Sequence, residues 1–185
     1  MKTQQPRFVW CDLEMTGLHP QSCAVIEIGL ILTDKDLNPL AEFERVIWQP
    51  ESILDTMEPF VRQMHTRNGL LERVRASEHS LRAVEKEVMA LLTEHFAMGE
   101  GILAGNSIHT DRAFIAHHMP GVERLLHYRM VDVSSLKELM RAWYPQAAGR
   151  SKTDSLHTAL SDLQASIGEL AFYRHTFLRP PEEFR

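Results

Sequence analysis

Phe8-Val9-Trp10-Cys11-Asp12-Leu13-Glu14-Met15-Thr16-Gly17 is the stretch on which the reading of the whole chain turns. Its first part is short and apolar, and is read as a buried strand over 8–13. Asp12 and Glu14 then stand two positions apart at the end of that strand. Successive strand side chains point to opposite faces, so the two acids share one face while Leu13 points to the other. Two carboxylates side by side at the end of an apolar strand repel each other and lose hydration, so they call for a cation or strong hydrogen bonds. A divalent ion with oxygen ligands answers that need, and Mg²⁺ or Mn²⁺ suits it. Taken alone, the pair is more simply read as one solvated acid and one turn cap.

Moving outward, Met15–Pro20 supplies turn residues, and Ala24–Thr33, rich in Val, Ile and Leu, predicts a second strand. The polar loop Asp34–Pro39 leads to a third strand near Leu40–Trp48, so the first third of the chain predicts an antiparallel meander. Residues 51–75 predict short helical pieces broken at Pro59 and at Asn68-Gly69. Leu81, Val84, Val88, Leu91, Leu92 and Phe96 recur at helical spacing over 80–97. A strand at Ile102-Leu103-Ala104, a helix from about Thr110 to His118 and a strand over Tyr128–Val133 follow. Ser135-Leu136-Lys137-Glu138 fits a capping box for a helix ending near Tyr144. Gln146–Ser155 is polar and loop-like, and a last helix to about Phe177 carries Leu156, Leu160, Leu163, Ile167 and Leu170 on one stripe. A meander followed by alternating helices and strands predicts an α/β domain with a mixed sheet.

Two further acids bear on the first pair. Asp111 opens a predicted helix after Gly105-Asn106-Ser107, where an Asp alone is usually an N-cap. Asp162 lies in the last helix next to the stripe residue Leu163, so it borders a buried face. His157 is five residues earlier, about 140° round an ideal helix, and reaches the same site only from an irregular first turn. Together these groups make chemical sense. Phosphodiester hydrolysis can use two metals about 4 Å apart held by carboxylates, with a neutral histidine taking the proton of the attacking water.

The 185 residues suffice for one domain with a full core, expected over 1–185 with its core at about 8–177. A net charge of −5 argues against a broad basic face that coats long nucleic acid, but not against an acidic metal site acting on a very short one. Cys11 and Cys23 have no metal-ligand spacing and are read as small buried hydrophobes in a reducing compartment. No apolar run approaches a membrane span or a signal-peptide core, so a cytoplasmic location is expected. The histidines, His117-His118 included, show no H-E-x-x-H pattern.

Three blocks carry a resemblance: Asp12-Leu13-Glu14-Met15-Thr16-Gly17, Asn106-Ser107-Ile108-His109-Thr110-Asp111 and His157-Thr158-Ala159-Leu160-Ser161-Asp162. They resemble the DEDD exonucleases of the His-containing branch. The longer strings D-L-E-M-T-G-L, G-N-S followed by D-R-x-F, H-Y-R-x-x-D-V-S-x-L-K-E-L and E-L-x-F-Y-R look like the oligoribonuclease group, and the match runs from about Phe8 to Phe177. DNA-proofreading relatives generally show D-T-E-T-T-G and lack the H-Y-R block.

The resemblance implies a ribonuclease H-like fold: a mixed five-stranded sheet, with a three-stranded antiparallel meander plus two further strands, flanked by helices. It implies 3′→5′ hydrolysis of short oligoribonucleotides, dinucleotides included, to nucleoside 5′-monophosphates by a homodimer. Asp12, Glu14, Asp111 and Asp162 would hold two Mg²⁺ or Mn²⁺ ions, with His157 as general base. Leu18 would wedge against the terminal base, and Phe60 and His65 would contact substrate. Tyr128 and Arg129 would reach across from a partner subunit, and Ser107, Ser134 and Ser135 would help to cap the 5′ phosphate. Family members often carry Trp-Asn where this chain has Phe60-Val61, so the aromatic face is kept and the indole N–H lost. Without the resemblance, Leu18, Tyr128, Ser134 and Ser135 read as turn packing, a strand aromatic and helix caps. Two rival readings are a DNA 3′→5′ exonuclease of the same fold and a non-catalytic nucleic-acid-binding module.

Overall fold

The computed structural model describes residues 7–146 and 159–178. Strands β1 (Phe8–Met15), β2 (Val25–Thr33), β3 (Pro39–Val46), β4 (Gly101–Gly105) and β5 (Leu126–Asp132) form one sheet in the order β3-β2-β1-β4-β5. The first three pair antiparallel, and β4 and β5 join parallel on the other side of β1. This is the mixed sheet that the chain's pattern predicted, in the ribonuclease H-like form that the resemblance implied. Helices α1 (Glu51–Leu54), α2 (Pro59–Arg67), α3 (Leu70–Ala76), α4 (Leu81–His95), α5 (His109–His118), α6 (Pro120–Glu123), α7 (Val133–Trp143) and α8 (Ala159–Phe177) flank it.

Strand alternation in β1 sorts the core into two layers. Val9, Cys11 and Leu13 pack with Val84, Val88 and Leu92 of α4 and with Phe114 and Ile115 of α5. Trp10 packs on the opposite face with Ile31, Leu163 and Tyr173. Covered on both faces, β1 has to be apolar almost throughout. Asp12 and Glu14 continue the face of Trp10, so they come up beneath α8. A third cluster, with Ile26, Leu54, Leu70 and Val74, seats α1 and α3 beside the meander.

Several boundaries differ from the sequence expectation, each for a local reason. β1 runs two residues further than expected, because Asp12 and Glu14 still pair with Gly29 and Glu27 of β2. The acids are therefore embedded in the strand. β5 starts at Leu126, and α7 starts at Val133. The cap of α7 is Asp132, whose carboxylate accepts the N–H of Ser134 at 2.9 Å. Ser135 is thus a first-turn residue and not the N-cap of a capping box. Asp111 is no N-cap either, since α5 opens two residues earlier. Asn68-Gly69 separates α2 from α3 as expected, with Gly69 in the left-handed region at φ 75°. Cys11 is buried, whereas Cys23 is only half-buried, and both thiols are free. Most of the predicted loop Gln146–Ser155, together with Leu156, lies outside the described residues.

Gly29 controls how α8 meets the sheet. A methyl group there would lie 2.8 Å from Ala159 Cβ and 3.1 Å from the Ala159 carbonyl carbon. Bare backbone at this point lets the start of α8 rest directly on β2, opposite Asp12. Gly29→Val should lower stability by about 1–3 kcal/mol in urea unfolding, and should also depress turnover by pushing Asp162 outward. Wild-type stability and turnover in this variant would show that α8 does not depend on that contact.

Candidate active site

β1 pairs with β4 only through Phe8, Val9 and Trp10. Beyond that point the two parallel strands part, and the β4 side of β1 has no strand partner. The N–H of Leu13 lies in this opening and donates to Asp111 Oδ1 at 2.9 Å. The crevice lies beyond the carboxyl ends of neighbouring parallel strands, where open α/β sheets place their ligands. Asp111 is brought there by the β4–α5 turn and is buried at 6% exposure.

From the other side, the first turn of α8 brings in Asp162. One carboxylate oxygen each from Asp12, Glu14 and Asp162 lies within 4.8 Å of the others. Asp111, tied to Leu13, stands beside this trio and close enough to Asp12 to disfavour its charge. None of the four forms an ion pair with lysine or arginine among the described residues.

The electrostatic cost shows in their protonation. Burial, then Asp111, Glu14 and Asp162, push Asp12 up to about 9. Burial pushes Glu14 up to about 7, with Glu27, Asp162 and Asp111 adding to it and Arg73 opposing. Burial likewise raises Asp111 to about 7, although the Leu13 N–H works the other way. Clustered carboxylates without a cation fit divalent ions that take hard oxygen ligands, such as Mg²⁺ or Mn²⁺. The nearby Cys11 offers no thiolate, because burial raises its pKa well above the ordinary value.

His65, expected to contact substrate, is packed against the carboxylate cluster and away from solvent. It is fully buried, with Nε2 3.0 Å from the carbonyl oxygen of Met15 and Nδ1 4.0 Å from Glu14 Oε2. A carbonyl only accepts, so Nε2 carries the proton and the neutral ring turns its Nδ1 lone pair towards Glu14. Burial lowers the pKa of His65. His65 therefore ties α2 to the end of β1 from below.

The remaining candidates fall into separate groups. Leu18 and Phe60 are 73% and 75% exposed. Tyr128 and Arg129 lie on β5, the sheet's outer strand, with the Arg129 guanidinium 5.0 Å from the Tyr128 ring centroid. No hydrogen bond or ion pair joins them to the carboxylates among the described residues. Ser107 and Ser134 do meet, with hydroxyls 3.3 Å apart, and Ser135 is exposed beside them in α7. His157 lies outside the described residues.

Sequence reasoning missed Glu27. It is fully buried on β2, faces Glu14 across the ladder and is bound by Arg73 Nη1 at 2.6 Å. The available signal was a lone charge within the otherwise apolar Val25–Thr33. Asp132, which accepts the N–H groups of both Ser107 and Ser134, was also missed.

The raised pKa values have a measurable consequence for the metal-free protein. Between the ordinary carboxylate range and about 9, the folded chain holds protons that the unfolded chain has released. Stability is therefore fully present at the acid end of that window and is lost as pH rises. The Tm of the metal-free protein should fall between about pH 6 and about pH 9. Asp12→Asn should flatten the fall, and added Mg²⁺ should reverse it. A flat Tm profile for the metal-free wild type would show that these acids are ionised throughout.

Comparison with known proteins agrees with this geometry. The exonuclease family model matches residues 9–170. The oligoribonuclease of Mycobacterium sp. (strain KMS) is 48% identical over 177 residues, covering 94% of this chain and 82% of its own. That of Thiobacillus denitrificans is 40% identical over 180 residues, covering 97% of this chain and 99% of its own. Among solved structures, E. coli exonuclease I in complex with a dT13 oligonucleotide superposes with a TM-score of 0.70 at 16% identity. That likeness covers 98% of this chain but only 43% of exonuclease I, and it speaks for the fold alone. With four carboxylates gathered at the β1–β4 crevice and this extent of shared sequence, the chain belongs to the oligoribonuclease family of exonucleases.

Proposed function

We propose that this chain is a 3′→5′ exoribonuclease that cuts very short RNA, dinucleotides above all, into nucleoside 5′-monophosphates. The observation that carries the reading is the trio Asp12, Glu14 and Asp162 within 4.8 Å, on a chain 40–48% identical to oligoribonucleases. Asp12, Glu14, Asp111 and Asp162 hold two divalent ions, Mg²⁺ or Mn²⁺. Once bound, such ions supply polarisation of water and neutralisation of charge at the leaving oxygen. The protein's own contribution is to keep these acids fixed in the crevice, so that little rearrangement is needed during reaction. His157, from the block that ends in Asp162, takes the proton of the attacking water as general base.

Substrate contacts come from the periphery. Leu18 and Phe60 are large apolar side chains exposed to water, suited to packing on bases. Phe60 stacks without the hydrogen bond that an indole would add. Ser107, Ser134 and Ser135 cap the 5′ phosphate.

A second copy of the chain completes the site. β5 lies at the sheet edge with Tyr128 exposed and Met130 partly so, and the following helix exposes Leu139 and Trp143. Such a face is suited to burial in a symmetric homodimer. Tyr128 and Arg129, which make no hydrogen bond or ion pair with the carboxylates of their own chain among the described residues, then serve the site of the second copy. The two free thiols suit a reducing cytoplasm. Among the described residues no helix is long and apolar enough to cross a membrane.

A time course on 5′-labelled RNA of increasing length, with Mg²⁺ or Mn²⁺ added, tests this reading. Dinucleotides should disappear fastest, a deoxyribodinucleotide should lag, and Asp12→Ala should lose at least about 10³-fold in rate. Equal rates on ribo- and deoxyribodinucleotides would favour the DNA exonuclease, and retained turnover in Asp12→Ala would move the site elsewhere. Mixing inactive Tyr128→Ala and Asp12→Ala subunits should restore part of the activity, because one composite site of the heterodimer is intact. An active monomer in light scattering would overturn the shared site.

A further inference from the structure

Asn106 stands in the G-N-S string and Glu169 in the E-L-x-F-Y-R string, and neither has a role in the chemistry above. The structure joins them in one polar network that runs inward from the exposed Ser107 to the buried Ser166 and Glu169. The N–H of Ser107 donates to Ser134 Oγ at 3.0 Å, and the Ser134 hydroxyl donates to Asn106 Oδ1 at 3.1 Å. Asn106 Nδ2 donates to Ser166 Oγ at 2.8 Å, and the Ser166 hydroxyl donates to the carbonyl oxygen of Asp162 at 2.9 Å. Every link runs donor to acceptor in one direction, from the β4–α5 turn to the residue that carries the α8 carboxylate.

Glu169 fixes the middle of this chain. Its Oε1 accepts from Tyr173 Oη at 2.6 Å and pairs with Lys137 Nζ of α7 at 2.9 Å, while Oε2 lies 3.4 Å from Asn106 Nδ2. Its carboxylate is 7% exposed and has partners on both oxygens. The orientation of the Asn106 amide follows from these contacts, because only Nδ2 can donate to Ser166 and Glu169 and only Oδ1 can accept from Ser134. Ser107 is held in the left-handed region, at φ 50°, where a serine is strained. Its N–H is shared between Ser134 Oγ and Asp132 Oδ1, which holds the turn in that shape.

We propose that Asn106 is a positioning residue that sets the distance between the phosphate cap and Asp162, and that this spacing selects substrate length. Ser134, its proton given to Asn106, holds Ser107 in place, and the Ser107 and Ser135 hydroxyls are the cap's donors to the phosphate. The proposal rests on the cap described under the proposed function. A dinucleotide fills both ends only if the cap and the carboxylates keep one separation. A network of directional hydrogen bonds keeps that separation more firmly than apolar packing, which tolerates sliding. Cutting the network leaves the carboxylates and the cap hydroxyls in place but frees α8 from the β4–α5 turn. Length discrimination is then lost ahead of hydrolysis itself.

The test measures kcat/KM for a 5′-phosphorylated dinucleotide, the same dinucleotide with a 5′ hydroxyl, and a 5′-phosphorylated pentanucleotide. Ser166→Ala removes the α8 end of the network without touching the cap or an acidic side chain, and alanine suits a helix interior. Both Asn106→Ala and Ser166→Ala should lower the dinucleotide-to-pentanucleotide ratio by about five- to tenfold, with Tm recorded alongside. A purely structural role would lower all three rates together and leave the ratios unchanged, and that result would overturn the proposal. Should Asn106→Ala fold too poorly to assay, Ser166→Ala decides the matter alone. A wild type that prefers neither the 5′ phosphate nor the dinucleotide would sink the cap itself. A wild type with both preferences, shared undiminished by the variants, would sink only the role of Asn106.

Discussion

Carboxylates forced together in a half-buried crevice are the condition around which this protein is arranged. Carboxylates with oxygens within 4.8 Å of one another cannot all ionise without a cation, and burial together with the neighbouring acids drives Asp12 up to about 9. Left free, such side chains would swing into water. Here they do not, because each is borne by an element that is pinned elsewhere. Asp12 and Glu14 belong to a strand packed on both faces, Asp111 is tied to Leu13, and Asp162 rides on a helix seated against Gly29.

The sheet topology supplies the space. β1 is shared between an antiparallel half and a parallel half, and its pairing with β4 stops at Trp10. Further along, one side of β1 still pairs with β2 while the other side opens into a crevice. Backbone polarity left over at that opening is met by Asp111, so one carboxylate serves both as strand partner and as part of the acidic cluster. Next to Glu14 the buried Glu27 pairs with Arg73, which reaches in from the surface, and His65 closes the cluster from beneath. The acidic group thus has a charged and polar underlayer as well as an apolar one.

At the opposite edge the molecule shows the reverse character. β5 and α7 carry Tyr128, Leu139 and Trp143 towards solvent, and the hydrogen-bond network from Ser107 to Asp162 runs between that edge and the crevice. Rigid polar contacts thereby connect the part of the molecule suited to a second copy with the part suited to metal ions. The inference about substrate length follows from this connection, since a site divided between two ends can measure only if its ends hold still.

Much of this was legible in the residues themselves. Strand alternation placed Asp12 and Glu14 on one face, and helical spacing put Asp162 at the border of a buried stripe, because both patterns depend only on local backbone geometry. The order of strands and helices followed from apolar runs and turn residues in the same way. Tertiary structure decided what depends on contacts between distant segments. It made Asp132 the cap of α7 in place of Ser135, since the cap is set by where β5 ends. It buried His65 under Glu14, brought Glu27 against Arg73, and aligned Asn106 between Ser134 and Ser166. Partners separated by 28 to 60 residues leave no periodic trace along the chain, and only packing of the sheet and its loops against α2, α3, α7 and α8 brings them together.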